Sequence, residues 1–149
     1  MTYQDRNNVV SIIVGLITTA YVIFRLVEMN AAGQFDGADA VNVWAKMVIW
    51  IIPIAIGGTI IGTILFNIGY AIVTRTEKPS FLVDERDKLF DRRGIVAVVL
   101  FSGAGFLLAI IALAFDWSAL KAFNIIYFSM ALGSMSADLV KFISYRRGY

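Results

Sequence analysis

Four long apolar runs limit what this chain can become. They fall at about residues 9–29, 43–74, 94–115 and 119–142. A helix rises about 1.5 Å per residue, so roughly 20 apolar residues cross a hydrocarbon core of about 30 Å. Each run meets that length. The 149 residues are 59% hydrophobic, with a mean hydropathy of +0.76. A soluble domain of this size has too little interior to hide so much apolar side chain, whereas a bilayer accepts it as solvent. The expected fold is all-α, a polytopic membrane protein with one transmembrane domain over residues 1–149. Its four transmembrane helices are expected to form two hairpins. No small-residue cleavage site follows a short apolar run, so the first run is expected to stay as an anchor.

The chain has no Cys and no His. That removes a thiol nucleophile, a Cys-based redox pair, His or Cys haem ligation and the usual zinc sites. It also removes the commonest general base near neutral pH. There is no P-loop, dinucleotide-binding glycine turn or nucleophile elbow. No enzyme activity and no cofactor are expected. The formal net charge of +2 is small, and the basic residues cluster at the ends of the apolar runs. That suits membrane orientation better than nucleic acid, which needs a continuous basic face.

The charge is concentrated in one stretch, 77–93, between the second and third runs. It holds five of the eleven acidic residues and five of the thirteen basic ones. Pro79 and Ser80 make a helix start, with Ser80 as the cap. Phe81, Leu82, Leu89 and Phe90 recur at about two-turn spacing, and Asp84 and Lys88 stand four apart in the favourable order. The stretch therefore reads as a short amphipathic helix, lying on the membrane or running straight into the third transmembrane helix. Its acidic residues are interleaved with Arg86, Lys88, Arg92 and Arg93, which would neutralise a cation site, so no metal is expected.

Arg75, Lys78 and the four basic residues just named lie on one side of the bilayer with Lys141, Arg146 and Arg147. The positive-inside rule then puts both termini and the charged stretch in the cytoplasm. Trp44, Trp50 and Trp117 fall near the opposite face, where an aromatic belt sits.

Within the runs, Gly58 and Gly62 have the spacing that lets helices approach closely, and Gly103 and Gly133 sit in similar small-residue faces. The Gly58–Gly62 face serves either another helix of this chain or a second copy in a homodimer. Asn67 needs a hydrogen-bond partner across helices. Arg25 and Glu28, three apart, can pair at the far end of the first run. Asp138 is the one carboxylate deep in a run, near the C-terminal end of its helix, where the dipole disfavours negative charge. It needs a cation or a proton. Lys141, Arg75, Arg92 and Arg93 are the available cations for a structural ion pair, and a proton- or cation-coupled transport site is the other reading.

Asp84-Glu85-Arg86-Asp87 followed by Leu89-Phe90-Asp91-Arg92-Arg93, set between two transmembrane hairpins, resembles a family of small prokaryotic four-helix membrane proteins of unknown function. Their central cytoplasmic segment carries an Asp-Glu-Arg-acidic signature, and members are often encoded beside small helix-turn-helix regulators. The resemblance implies a multi-pass protein of the inner (plasma) membrane that regulates a cytoplasmic partner, and it implies no catalytic residues. The function expected on this basis is capture or regulation of that partner through the central loop, with Phe81, Asp84, Glu85, Arg86, Asp87, Phe90 and Asp91 as the contact residues. The alternative is an oligomeric transporter or channel for a small solute or an ion. The expected partners are the lipid bilayer, a cytoplasmic regulatory protein and a second copy, with no direct contact to nucleic acid.

Overall fold

In a bilayer core every backbone polar group must be satisfied within the protein, and a helix does this with its own residues. The computed structural model describes residues 3–74 and 85–147, and those residues form four helices. They are α1 (Tyr3–Ala31), α2 (Ala40–Thr74), α3 (Glu85–Ala114) and α4 (Ala119–Arg147). All four are long and apolar enough to span a membrane, which makes the chain a multi-pass membrane protein. With 29 to 35 residues each, they extend about 44 to 52 Å and outrun the hydrocarbon.

The ends therefore differ from the apolar runs. α1 begins at Tyr3 and takes in Gln4 to Asn8, which the sequence suggests are a polar tail. α3 begins at Glu85 and passes without a break into the third run, so 85–93 is the first part of a transmembrane helix. Ser80 as a cap, along with Phe81 and Asp84, lies outside the described residues. α2 stays helical across Pro53.

Two connections end their helices in the same way. Gly33 has a φ of 70°. Its N–H donates to Asn30 O at 3.1 Å, while that of Gln34 donates to Met29 O at 3.0 Å. Asp116, with a φ of 60°, repeats the pattern through Leu113 O at 3.1 Å and Trp117 N–H to Ala112 O at 3.0 Å. Both are Schellman caps, which satisfy carbonyls a helix end would leave open. The second occurs in the short turn that carries the chain from α3 into α4.

α3 packs most extensively on α4. α1 packs on both α4 and α2, and α2 touches α4 lightly. Small residues set the α3–α4 seam. A Cβ on Gly133 would stand 3.3 Å from Val98 Cα, and one on Gly94 would stand 3.4 Å from Ala137 Cβ. One on Gly105 would collide with the Ser129 side chain. On α2, Gly62 is just as confined, since its Cβ would come within 2.9 Å of Val10 Cγ1 on α1, and Gly58 faces Val14 at 3.5 Å. The Gly58–Gly62 face is thus occupied from within the chain. Gly103 differs from expectation. Nothing lies within 4 Å of its would-be Cβ, because two residues along a helix turn the side chain about 200° away. Gly105 holds the packing position instead.

The outer surfaces are apolar. α2 buries only Trp44 and Ile51, and Val73, Ile72 and Trp50 are at least 70% exposed. A surface like this would not be soluble in water and suits acyl chains. Trp44 is an exception to the aromatic belt. It is buried, donates from Nε1 to Asn124 Oδ1 at 2.9 Å and packs on Phe123, so it fastens α2 to α4.

Replacing Gly105 with Leu should lower stability by about 1–3 kcal/mol through overpacking, read as an earlier midpoint in unfolding by SDS in mixed micelles. Gly103→Ala points into open space and should not lower that midpoint.

Candidate functional site: a polar cluster at the end of the bundle

The polar groups gather at the end where α1 and α3 begin and α2 and α4 finish. On α3, Asp87, Phe90, Asp91 and Gly94 follow one another at helical spacing and form a single stripe facing α4. Tyr145 Oη donates to Asp87 Oδ1 at 2.6 Å. The Phe90 ring meets the Tyr145 ring edge-on, with centroids 5.0 Å apart. Lys141 Nζ lies 2.8 Å from Asp91 Oδ1. Phe90 is 3% exposed and Asp87 7%. These three contacts hold the first two turns of α3 against the last two of α4. The opposite stripe, Glu85, Arg86, Lys88, Leu89, Arg92 and Arg93, is exposed.

α1 brings a second stripe, with Gln4, Asn7, Asn8 and Ser11 at the same spacing. Ser11 Oγ donates to Asp138 Oδ2 at 2.6 Å. Asn8 Nδ2 donates to the Asp138 backbone carbonyl at 2.7 Å. Asn67 on α2 donates from Nδ2 to Asn7 Oδ1 at 3.3 Å and to its own Thr63 carbonyl at 2.8 Å. The buried Arg6 guanidinium sits 4.4 Å from the Tyr70 ring centroid, a cation–π contact between α1 and the last turn of α2. Ser11, Asn8, Asn67 and Arg6 thus each reach a neighbouring helix, as a membrane interior favours, while Asn67 Oδ1 and Arg6 Nε are buried without a hydrogen bond.

Between these groups lies a crevice of about 280 Å³. α1 lines it with Asn7 and Ser11, α2 with Thr59 and Thr63, and α4 with Asp138 and Lys141. A polar crevice between transmembrane helices can hold water, an ion or a small polar solute.

Asn67 reaches across helices as expected. Phe90 and Asp87 point inward onto Tyr145 in the stripe that meets α4, and Asp91 on the same stripe pairs with Lys141 while about half of its side chain stays exposed. Asp138 has no ion pair among the described residues, and Arg75, one of the cations expected for it, lies outside them. Lys141, one turn along, is drawn to Asp91, and Asp138 is met by the Ser11 hydroxyl. Glu85 and Arg86 remain exposed. Asn7, Asn8 and Ser11 have no place in the sequence-based site, although their helical spacing signals a polar face. At the other end, Arg25 pairs with Glu28 within α1. No group of three or more acidic residues able to hold a metal ion occurs among the described residues.

No family model, curated protein or solved structure matches the chain.

Tyr145→Phe removes the hydrogen bond to Asp87 and keeps the ring contact with Phe90. A bond to a charged group contributes about 1.5–3 kcal/mol, so trypsin should cut more quickly at Arg86 and Lys88. Tyr145→Ala, which also loses the ring, should cut faster still.

Proposed function

We propose that this is a small integral membrane protein of a prokaryotic inner membrane that engages or regulates a cytoplasmic protein through its central charged segment. In this reading the helices form two hairpins with both termini cytoplasmic. The observation that carries the reading is the clamping of the α3 start. Asp87, Phe90 and Asp91 are held by Tyr145 and Lys141, so the opposite stripe is a fixed ridge. Arg86, Lys88, Arg92 and Arg93 on that ridge outweigh Glu85 by three formal charges, and Leu89 lies among them. A pre-formed basic ridge with an apolar contact suits an acidic face on a partner, since helix formation is not left to the binding step. The resemblance carried by Asp84–Arg93 supports the same reading.

A second reading, passage of a small solute or ion through an oligomer, is favoured by one observation, the polar crevice around Asp138.

The docking reading is tested by purification from native membranes followed by mass spectrometry. A variant with Arg86, Lys88, Arg92 and Arg93 all changed to Ala is run beside the wild type. A cytoplasmic protein should accompany the wild type and be lost from the variant. If the two samples retain the same proteins and differ only in bound anionic lipid, the ridge is a headgroup-facing surface and the docking reading fails.

A further inference from the structure

The crevice has a chemical preference that the docking reading does not use. Its charged lining residues are Asp91, Asp138 and Lys141. Lys141 is bound to Asp91 at 2.8 Å, so these two formal charges cancel. Asp138 remains, with a hydroxyl donor at 2.6 Å and no cation within ion-pairing distance among the described residues. One formal negative charge in an otherwise neutral polar crevice favours a cation.

Volume and donor set narrow the cation. About 280 Å³ equals roughly nine times the volume of a water molecule in the liquid, far more than a bare metal ion fills. A divalent ion takes six or more oxygen ligands, several of them carboxylates, and no group of three acidic residues gathers here among the described residues. Neutral oxygens do share the crevice with Asp138. Asn7, Ser11, Thr59 and Thr63 all face the crevice. The Tyr145 ring is engaged by Phe90, so no cage of aromatic faces is offered to a quaternary ammonium. A carboxylate with neutral oxygen acceptors matches three N–H donors on one nitrogen.

We infer that the crevice between α1, α2 and α4 binds a small primary ammonium ion, with Asp138 as its counter-ion and the Thr63 hydroxyl as an accepting neighbour. The inference is independent of docking. It deepens the transport reading and rests on that reading only for passage, since binding can occur without it.

The test uses the full chain in nanodiscs, with thermal unfolding followed by tryptophan fluorescence. Ethanolamine hydrochloride is titrated against sodium chloride and tetramethylammonium chloride at equal ionic strength. Ethanolamine should raise the midpoint in a saturable way and the other two should not. Thr63→Val, which leaves every helix-to-helix hydrogen bond described above in place, should weaken the half-saturating concentration about 2- to 10-fold, as for one lost hydrogen bond. Asp138→Asn should abolish the response. Equal shifts for all three salts, or an ethanolamine response unchanged in Thr63→Val and in Asp138→Asn, would overturn the inference. If Asp138→Asn does not fold, Thr63→Val decides alone. Uptake of labelled ethanolamine into proteoliposomes is measured separately, and saturable binding without uptake would keep the site and remove the transport reading.

Discussion

The close approach of α3 and α4 is the constraint on which the rest of the bundle depends. In lipid, apolar side chains gain little by leaving one hydrocarbon for another, so helices are held by packing and by hydrogen bonds that packing brings within range. Gly94 lies under Lys141 and Ala137, Gly133 under Val98, and Gly105 under Ser129. Each step of about one turn down α3 matches one up α4. That register, continued past Gly94, delivers Asp91 to Lys141 and Asp87 to Tyr145. A larger residue in the seam would push these polar pairs out of bonding distance without touching them.

The polar end is made stable by distribution, with no single strong contact carrying it. Asp138 lies between Ser11 and Asn8 of α1, Asn67 joins α1 to α2, and Arg6 rests on Tyr70. α4 is the common support, since α1, α2 and α3 all touch it. At the other end the fastening is different. Trp44 and Asn124 share one hydrogen bond among aromatic rings, and the surface of α2 beyond Trp44 and Ile51 is left to lipid. The result is a bundle tied by polar groups at one end and by an aromatic cluster at the other, with α2 the least enclosed helix.

The sequence makes the four helices legible because roughly 20 consecutive apolar residues have few other uses. It hides their true ends. Gln4 to Asn8 and Glu85 to Arg93 are polar, so hydropathy treats them as loop, yet they extend helices already begun. The rotational setting of a helix is hidden too. Gly103 and Gly105 look equivalent in a small-residue cluster, and only the position of Ser129 selects Gly105. Phe90 in a charged run looks exposed until Tyr145, 55 residues later in the chain, supplies its neighbour. The site was legible where one residue carries an unusual demand, as Asp138 and Asn67 do in an apolar run. Which partner answers the demand was not. Lys141 is nearer in sequence to Asp138 than to Asp91, but the close packing of α3 on α4 at Gly94 brings Asp91 to its ammonium.

The separation of the bonded residues along the chain has a consequence for how the protein is made. Ser11 and Asp138 are 127 residues apart, and Asn8 reaches the Asp138 carbonyl across 130. α1 is synthesised first and α4 last of the four. Until α4 is complete, the polar stripe of α1 has no Asp138 to meet. α3 and α4, joined by the short turn through Asp116, face no such delay. A ribosome that stalls before α4 therefore leaves a nascent chain whose first helix displays Asn8 and Ser11 without their α4 partners.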